Sequence, residues 1–343
     1  IDISIATGRD DMTITLRSLS KNLPDAMKLV NEMLTQPRFD SAALEKLRSQ
    51  MLSSLKKRKE SPAWLASVHF DAAAYGNHPY ALPVEGTENS VTNITIEDVK
   101  QWHQQLSADS FLVSVAGNFS PEELSPHFSA LLSALPQTQT LPKIAPVAAI
   151  EASSKPMHVK QPVPQTVALF GLPSVKRSDS DFYAAYIMNH ILGGGGLTSR
   201  LSNAIRQQRG LAYYASSSLV PSRYSSMLYG SFATQNEKAQ EAAQVLREVL
   251  KNFAQKGASK AEVQNAIDYI TGSFPLALDD LNSQASYLLS MQRYGLGKDY
   301  LAKRNDYFRA VTADDVNRIA AKILAKAPLM VLVGNLKENP SHD

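Results

Sequence analysis

The chain contains two copies of one helix-and-strand pattern, and this duplication is the feature that most restricts its fold. A threonine followed by acidic residues begins a predicted helix at Thr95 and again at Thr312. An apolar run then ends in Gly-Asn at Gly117 and again at Gly334, so both landmarks recur after 217 residues. Threonine is a favoured N-cap, acidic side chains suit the first helical turn, and such apolar runs indicate buried strands. The repeat therefore predicts two homologous αβ domains.

Local patterns supply the elements of each domain. Alternating or continuous apolar residues predict strands at 12–16, 111–115, 166–170, 228–232 and 329–333. Amphipathic spacing predicts helices at 24–34, 181–192 and 237–253. The strands and helices do not alternate as regular βαβ units. We therefore expect the α+β class, with two homologous layered αβ domains.

The two copies differ in length. The second begins near Gln165 with a strand, and the repeat offset aligns Ile1 with about 214–218. The first copy thus lacks counterparts of roughly fifty residues, including an N-terminal strand and helix. Its sheet would then have an unpaired edge. A proline-rich stretch between the copies indicates an extended linker. We predict an incomplete first domain, a linker and a complete second domain, at 1–140, 141–164 and 165–343.

Composition excludes several classes of protein and site. The 343 residues include 35 basic and 32 acidic side chains, and this near balance does not predict a nucleic-acid partner. No apolar run approaches the ~20 residues of a membrane-spanning helix. The first residues carry no basic region or cleavage site, so no signal peptide is predicted. The lack of cysteine excludes disulfides and thiolate metal sites, and it fits a periplasmic or a cytoplasmic location.

The densest motif is a Gly-rich turn followed by a helix and a strand. Four consecutive glycines, Gly193, Gly194, Gly195 and Gly196, precede Leu-Thr-Ser-Arg-Leu. We predict that Thr198 or Ser199 caps the helix and that Gly210 ends it at the position after the C-cap. The pattern lacks the spacing of a dinucleotide fingerprint and the lysine of a P-loop. A nucleotide site is therefore not favoured.

This motif resembles the second half of the pitrilysin/insulinase zinc peptidases, which include processing peptidases and respiratory core subunits. Arg206 and Tyr213 fit that family's Arg-x-x-x-Gly-Leu-x-Tyr frame, with the arginine seven residues before the tyrosine. The resemblance implies a LuxS/processing-peptidase-like fold. It also implies that this pair binds the substrate backbone and the developing oxyanion at a zinc site in trans. It further implies a substrate-binding loop made of Gly193–Gly196, Ser199 and Arg200.

Zinc binding in this family implies an inverted His-x-x-Glu-His helix and a distant glutamate. No two of the seven histidines stand four residues apart in this chain. The stretch that resembles the third-ligand helix has Ser53 and Ser54 where carboxylates are expected. We therefore expect a degenerate metal site and no zinc in this chain. We interpret His78 as a turn histidine beside a proline, and His190 as a helix-end residue favourable to the dipole.

Together these features predict an inactive subunit that forms a heterodimer with a zinc-binding relative. The partner supplies the zinc, this chain supplies Arg206 and Tyr213, and an extended peptide is the substrate. Self-association is the other assembly considered. Two further functions stay open: a structural or peptide-holding protein without proteolysis, and a zinc peptidase whose His-x-x-Glu-His segment is missing from this chain. The family together with the lack of cysteine favours the periplasm.

Overall fold

The computed structural model describes residues 1–139, 142–148 and 155–336. Helices and strands alternate irregularly within these ranges, which confirms the predicted α+β class. The strands are β1 (Asp2–Thr7), β2 (Met12–Arg17), β3 (Met157–Lys160), β4 (Gln165–Pro173), β5 (Ala212–Pro221), β6 (Ser226–Gln235) and β7 (Leu329–Gly334). The α-helices are α1 (Leu23–Thr35), α2 (Ser41–Arg58), α3 (Pro62–Tyr75), α4 (Glu88–Asn93), α5 (Ile96–His103), α6 (Pro121–Ser133), α7 (Phe182–Asn189), α8 (Ala239–Lys256), α9 (Lys260–Gly272), α10 (Leu281–Arg293), α11 (Tyr300–Arg309) and α12 (Ala313–Leu324). None of the helices in the described part of the chain combines the length and apolar character needed to span a lipid bilayer.

The chain folds into two compact units, and each unit combines segments from both halves of the sequence. Unit 1 consists of Ile1–Lys57, Val84–Ile144 and Ala277–Leu296. Unit 2 consists of Arg58–Pro83, Ala145–Leu276 and Gly297–Asp343. The units therefore differ from the consecutive ranges 1–140 and 165–343 expected from the repeat. The reason is that α3 of the first half packs within unit 2, whereas α10 of the second half packs within unit 1.

Unit 2 contains a five-stranded sheet in the order β3-β7-β4-β6-β5. β3 runs parallel to β7, and the other neighbours are antiparallel. β7 lies between β3 and β4, and all six of its residues are buried. One face of the sheet packs against α7, α8, α9 and α12 through a core that includes Phe170, Phe232, Leu246 and Ile319.

Helix α3 packs on the sheet of unit 2 through a second apolar cluster. Phe70 is 1% exposed and contacts the ring of Tyr229 edge-to-face, with the centroids 5.3 Å apart. The same cluster includes Leu169 of β4 and Val331 of β7. α3 starts with Pro62 after Ser61, whose hydroxyl accepts a hydrogen bond from Trp64 N. A helix from the first half of the sequence thus completes the core of unit 2.

Part of the predicted linker is a strand. Met157–Lys160 pairs with Val331–Gly334 and forms one edge of the sheet of unit 2. The proline-rich composition did not reveal this strand, because four residues are too few to show alternation. Residues 140–141 and 149–154, which also belong to the predicted linker, lie outside the described residues.

Unit 1 contains the antiparallel hairpin of β1 and β2, with α1 and α6 packed near it. α10 is tied to this hairpin, because the guanidinium of Arg293 forms ion pairs with Asp10 and Asp11 in the turn. The strand predicted at 111–115 is wrong: this stretch is extended and partly buried but belongs to no ladder. Its contacts are instead with α10, where Gln292 Nε2 donates to Val113 O at 2.7 Å. A strand requires a neighbouring backbone, and none pairs with it among the described residues.

The two landmark threonines cap helices as the repeat predicts. Thr95 begins α5 and Thr312 begins α12, and both form a capping box. The third residue of each helix, Asp98 or Asp315, accepts from the threonine N–H while its own N–H binds the threonine hydroxyl. These bonds lower the pKa of both carboxyl groups. The duplication is therefore visible in local structure as well as in sequence.

Candidate functional site

The Gly-rich turn lies between two wide helical turns of unit 2. α7 continues into a π-helical turn at His190–Gly194, and a second π-helical segment covers Ser202–Gln207. Gly193 is required by close packing, since a side-chain carbon there would lie 2.5 Å from the backbone nitrogen of Ser217. π-Helical turns are rare and are frequent at functional sites. The sequence did not predict them, because glycine content indicates a turn but not the width of the adjoining helix.

Ser199 and Arg200 hold the turn in place. Ser199 is 1% exposed, its hydroxyl donates to Gly196 O at 2.8 Å, and Ser202 N donates to the same hydroxyl. The predicted cap is therefore Ser199. Arg200 forms an ion pair with Glu262 at 2.9 Å and lies over the ring of Phe253. These contacts give both residues a structural role, so their assignment to substrate binding gains no support from the geometry.

Arg206 has the opposite environment. It is exposed on the Ser202–Gln207 segment, and its guanidinium has no hydrogen-bond or ion-pair partner among the residues that the structure describes. The neighbouring Arg209 is also exposed, but its Nη1 donates to Ala204 O at 3.0 Å. An arginine that is already bound to the protein has fewer donors left for a ligand. Arg206 keeps its planar set of donors available.

Gly210 joins the helix of Arg206 to the strand of Tyr213. Its φ is +57°, a conformation that glycine adopts without strain. Gly210 N donates to Arg206 O at 3.0 Å, and Leu211 N donates to Ile205 O at 2.9 Å. Both bonds satisfy carbonyl groups at the helix end, as the predicted C-terminal stop requires. The turn therefore brings the end of this helix against the first residues of β5.

Tyr213 is the extra residue of a β-bulge. Ala212 pairs with Thr234 and Tyr214 with Ala233, so no residue of β6 lies opposite Tyr213. Its side chain is 80% exposed, although β5 is otherwise half-buried. Bulges re-aim side chains and are common beside active sites. The sequence frame identified this tyrosine, but the reason for its exposure is visible only in the strand register.

The position predicted to be a degenerate metal-ligand position carries two serines. Ser53 and Ser54 are exposed on α2 in unit 1. Among the described residues, no group of three His, Asp or Glu side chains is arranged to hold a metal ion. Serine hydroxyls are neutral and are not among the usual zinc ligands. The side chains at this position, in the part of the chain that the structure describes, therefore do not fit a zinc ion.

His78 occupies a turn, as its sequence context predicts. Its Nδ1 accepts from Tyr80 N at 3.1 Å, which makes Nε2 the protonated nitrogen that donates to Ala145 O at 3.0 Å. The imidazole also packs against the ring of Tyr80, with the centroids 4.6 Å apart. Both ring nitrogens are used by the protein itself. This is a structural histidine.

His190 follows the last residue of α7, and its side chain is partly buried. Burial lowers its pKa, so the neutral imidazole is favoured in the fold. The ring stacks on Tyr269 of α9, with the centroids 5.1 Å apart and the planes tilted by 33°. Helical backbone continues through the π-helical turn at His190–Gly194, so His190 does not end the helix as the sequence suggested.

We expect the stability of the fold to depend on pH through His190. In the unfolded chain this ring titrates near pH 6.5, and its folded pKa is lower. The stabilisation is therefore complete above about pH 6.5 and is lost as the pH falls through the folded pKa. His190→Phe keeps the ring stacking but cannot titrate. Urea unfolding at about pH 7.5 and about pH 5.5 should show a smaller loss of stability in this variant than in the parent chain.

A second histidine provides an independent comparison. Burial also lowers the pKa of His158 on β3, so His158→Gln should remove a separate part of the same pH dependence. The reductions in pH dependence caused by the two substitutions should add, since the two rings do not contact each other in the described part of the chain. An unchanged pH dependence in His190→Phe would show that this imidazole is not held neutral by the fold.

Comparison with known proteins agrees with the fold and with the motif. Residues 93–270 match the family model described as the peptidase M16 inactive domain. Residues 2–88 match the model of insulinase, peptidase family M16. The crystal structure of a peptidase M16 inactive domain from Pseudomonas fluorescens has a TM-score of 0.91 with 26% identity. That similarity covers 99% of this chain and 82% of the other.

Relatives that match nearly the whole of this chain have names of two kinds. The non-peptidase homolog YmxG of Helicobacter pylori is 25% identical, over 95% of this chain and 77% of its own length. An uncharacterized zinc protease of Mycobacterium leprae is 29% identical, over 95% of this chain and 74% of its own length. Both similarities extend through the two halves of the repeat. The chain therefore belongs to peptidase family M16, the insulinase family, and its residues 93–270 correspond to the inactive domain of that family.

Proposed function

We propose that this chain is the subunit without zinc in a two-subunit metallopeptidase, where it binds an extended peptide and supplies Arg206 and Tyr213 to a partner's zinc site. One observation carries the proposal. Arg206 is exposed and unpaired among the described residues, and a bulge exposes Tyr213 just beyond the same turn. Both groups therefore remain available to a ligand that accepts hydrogen bonds.

The chemistry of peptide hydrolysis fits these two groups. The scissile carbonyl oxygen gains negative charge as water attacks, and fixed donors aimed at that oxygen lower the barrier. The guanidinium of Arg206 offers five N–H donors and the phenol of Tyr213 offers one. Neither group generates the attacking water. That task requires the metal and the general base, which the proposal gives to the partner subunit.

Strand β5 supports the binding of an extended peptide. It is the last strand in the sheet order of unit 2, so one of its two edges has no neighbouring strand among the described residues. Its ten residues include no charged side chain. Proteins commonly protect exposed edges with charges, and an edge without them is suited to pairing with another strand. Peptides that add to a sheet in this way bind mainly through their backbone.

Reconstitution with a relative that carries a His-x-x-Glu-His helix tests the proposal. Each subunit alone and the mixture are assayed with an unstructured peptide, and zinc is measured in each sample. We expect stable assembly, zinc in the partner, and cleavage only by the mixture. A partner that cleaves equally well alone would contradict the function proposed for this chain.

The same assay separates the two other functions. The relative named as a non-peptidase homolog favours a structural or peptide-holding role. That role predicts a stable assembly in which peptide binds but is not cleaved. The relatives named as zinc proteases favour an independent peptidase. That function predicts zinc and cleavage in the complete gene product without any partner.

A further inference from the structure

Unit 2 has an exposed tyrosine packed beside the Gly-rich turn. Tyr269 of α9 stacks on His190, yet 64% of its surface remains exposed. A single exposed aromatic residue needs no explanation. This one is held by a ring beneath it, so its orientation is fixed while its outer face stays open. A fixed and open aromatic face is a surface on which a second ring can stack.

The backbone beside these two rings includes glycines, which have no side chain. Gly195 lies directly against His190, since a side-chain carbon there would be 3.1 Å from Nε2 and 2.8 Å from the backbone oxygen. By contrast, a side chain at Gly196 or at Gly272 would meet no atom within 4 Å. The turn then continues into Leu197, which is 57% exposed. Leu197 and Tyr269 are thus both exposed. Gly196 and Gly272 each adjoin open space.

A hydrogen bond connects this surface to the candidate catalytic arginine. Gln207, the residue after Arg206, donates from Nε2 to Leu197 O at 2.8 Å. This bond joins the helical segment of Arg206 to the turn of Leu197 within unit 2. A peptide whose carbonyl group binds Arg206 would have neighbouring side chains within reach of this surface.

The sequence around His190 has the spacing of a zinc-binding helix but not its side chains. Tyr186, Asn189 and His190 have the spacing of the first histidine, the glutamate and the second histidine in a His-x-x-Glu-His helix. The Asn189 side chain accepts from Ser217 Oγ at 2.7 Å, and Tyr186 packs on Phe308. In the described part of the chain, no carboxylate joins His190 to form a metal site. Burial also lowers the pKa of His190, so the uncharged imidazole is favoured.

We infer that Tyr269, His190 and Leu197 form a neutral subsite that receives one aromatic side chain of the bound peptide. The inference rests on the proposed peptide-binding function and adds a sequence preference to it. Tyr269 supplies the stacking face, Leu197 supplies an aliphatic wall, and the bare glycines allow the close approach of a planar group. A charged side chain gains no opposite charge from these three residues.

A binding experiment with the full chain tests this subsite. The probe is a fluorescein-labelled peptide of alanine, serine and glutamine, and a single phenylalanine is moved along it in a series. Anisotropy should show one position at which phenylalanine tightens binding about tenfold, or about 1.4 kcal/mol. Tyr269→Ala and Leu197→Ser should abolish this preference, while the all-alanine probe binds as before. Tyr269→Phe should retain the preference, because the stacking ring is kept.

Tyr307→Ala is the matched control, since Tyr307 is an exposed tyrosine on α11 of the same unit. It should leave the phenylalanine preference unchanged. If the probes bind but no position prefers phenylalanine, or if Tyr269→Ala keeps the preference, the subsite is refuted and peptide binding stands. If no probe binds at all, the peptide-binding function itself is refuted and the subsite with it.

Discussion

Replacing Arg206 by alanine should lower kcat/KM of the reconstituted two-subunit peptidase by about 10²- to 10³-fold. This is the effect typical of removing one preorganised donor from an oxyanion site. Tyr213→Phe should cost about tenfold, because it removes one hydroxyl donor and leaves the ring in place. Both losses should lie mainly in kcat, since the oxyanion develops only in the transition state. Steady-state kinetics with one fluorogenic peptide measures both parameters.

Arg209→Ala is the matched control for Arg206. Arg209 is also exposed and lies three residues further along, but its guanidinium binds Ala204 O at the end of the same helical segment. Its replacement should leave kcat/KM within about twofold of the parent complex. Assembly and zinc content of each complex are measured first, so that a lost interface is not mistaken for lost chemistry. If Arg206→Ala in an intact complex keeps the parent kcat/KM, Arg206 has no part in catalysis.

The second large effect is expected from Phe70→Ala, which should destabilise unit 2 by about 3–5 kcal/mol. Phe70 is 1% exposed and fills the cluster between α3 and the sheet. Its removal leaves a cavity that the neighbouring strands cannot close, because their hydrogen bonds fix their spacing. Urea unfolding gives the free energy. Leu47→Ala on α2, where the leucine is 56% exposed, should cost less than about 1 kcal/mol.

A double substitution tests the contact itself. A side-chain carbon at Gly171 would lie 2.5 Å from Phe70 Cζ and 2.7 Å from Met227 Sδ, so Gly171→Ala alone should destabilise the fold. In the Phe70→Ala background part of that clash is absent, and the second substitution should cost less than it does alone. Strictly additive energies would mean that α3 does not pack on β4 in this way.

Phe70 also shows which part of the fold a sequence pattern can reveal. The helix at 62–75 belongs by position to the first copy of the repeat, yet its core lies in unit 2. Periodicity reports that a helix has an apolar face, but it does not report which sheet will cover that face. The consecutive domain ranges followed from chain order for this reason. In the folded chain, α3 packs within unit 2 and α10 packs within unit 1.

In the candidate site, too, the sequence identified some residues, whereas others required the tertiary structure. The Arg-x-x-x-Gly-Leu-x-Tyr frame was sufficient to select Arg206 and Tyr213 as a candidate pair. The resemblance also implied a substrate-binding loop that includes Ser199 and Arg200, which the structure shows to be a buried cap and a partner of Glu262. The contact between Arg200 and Glu262 has no local signal, since the two residues are 62 apart in the chain. Tyr269 was missed because its relation to His190 spans 79 residues of chain.

The amino-acid sequence by itself determined the duplication, the capped helices at Thr95 and Thr312, most of the strands and the family, because these depend on neighbouring residues. The tertiary structure decided which helix completes which sheet, that the stretch at 111–115 forms no strand, and which polar side chains remain available. It also showed that a one-residue bulge turns Tyr213 outward. These outcomes depend on contacts between distant segments. Only the packed chain specifies which backbone or side chain a given residue will meet.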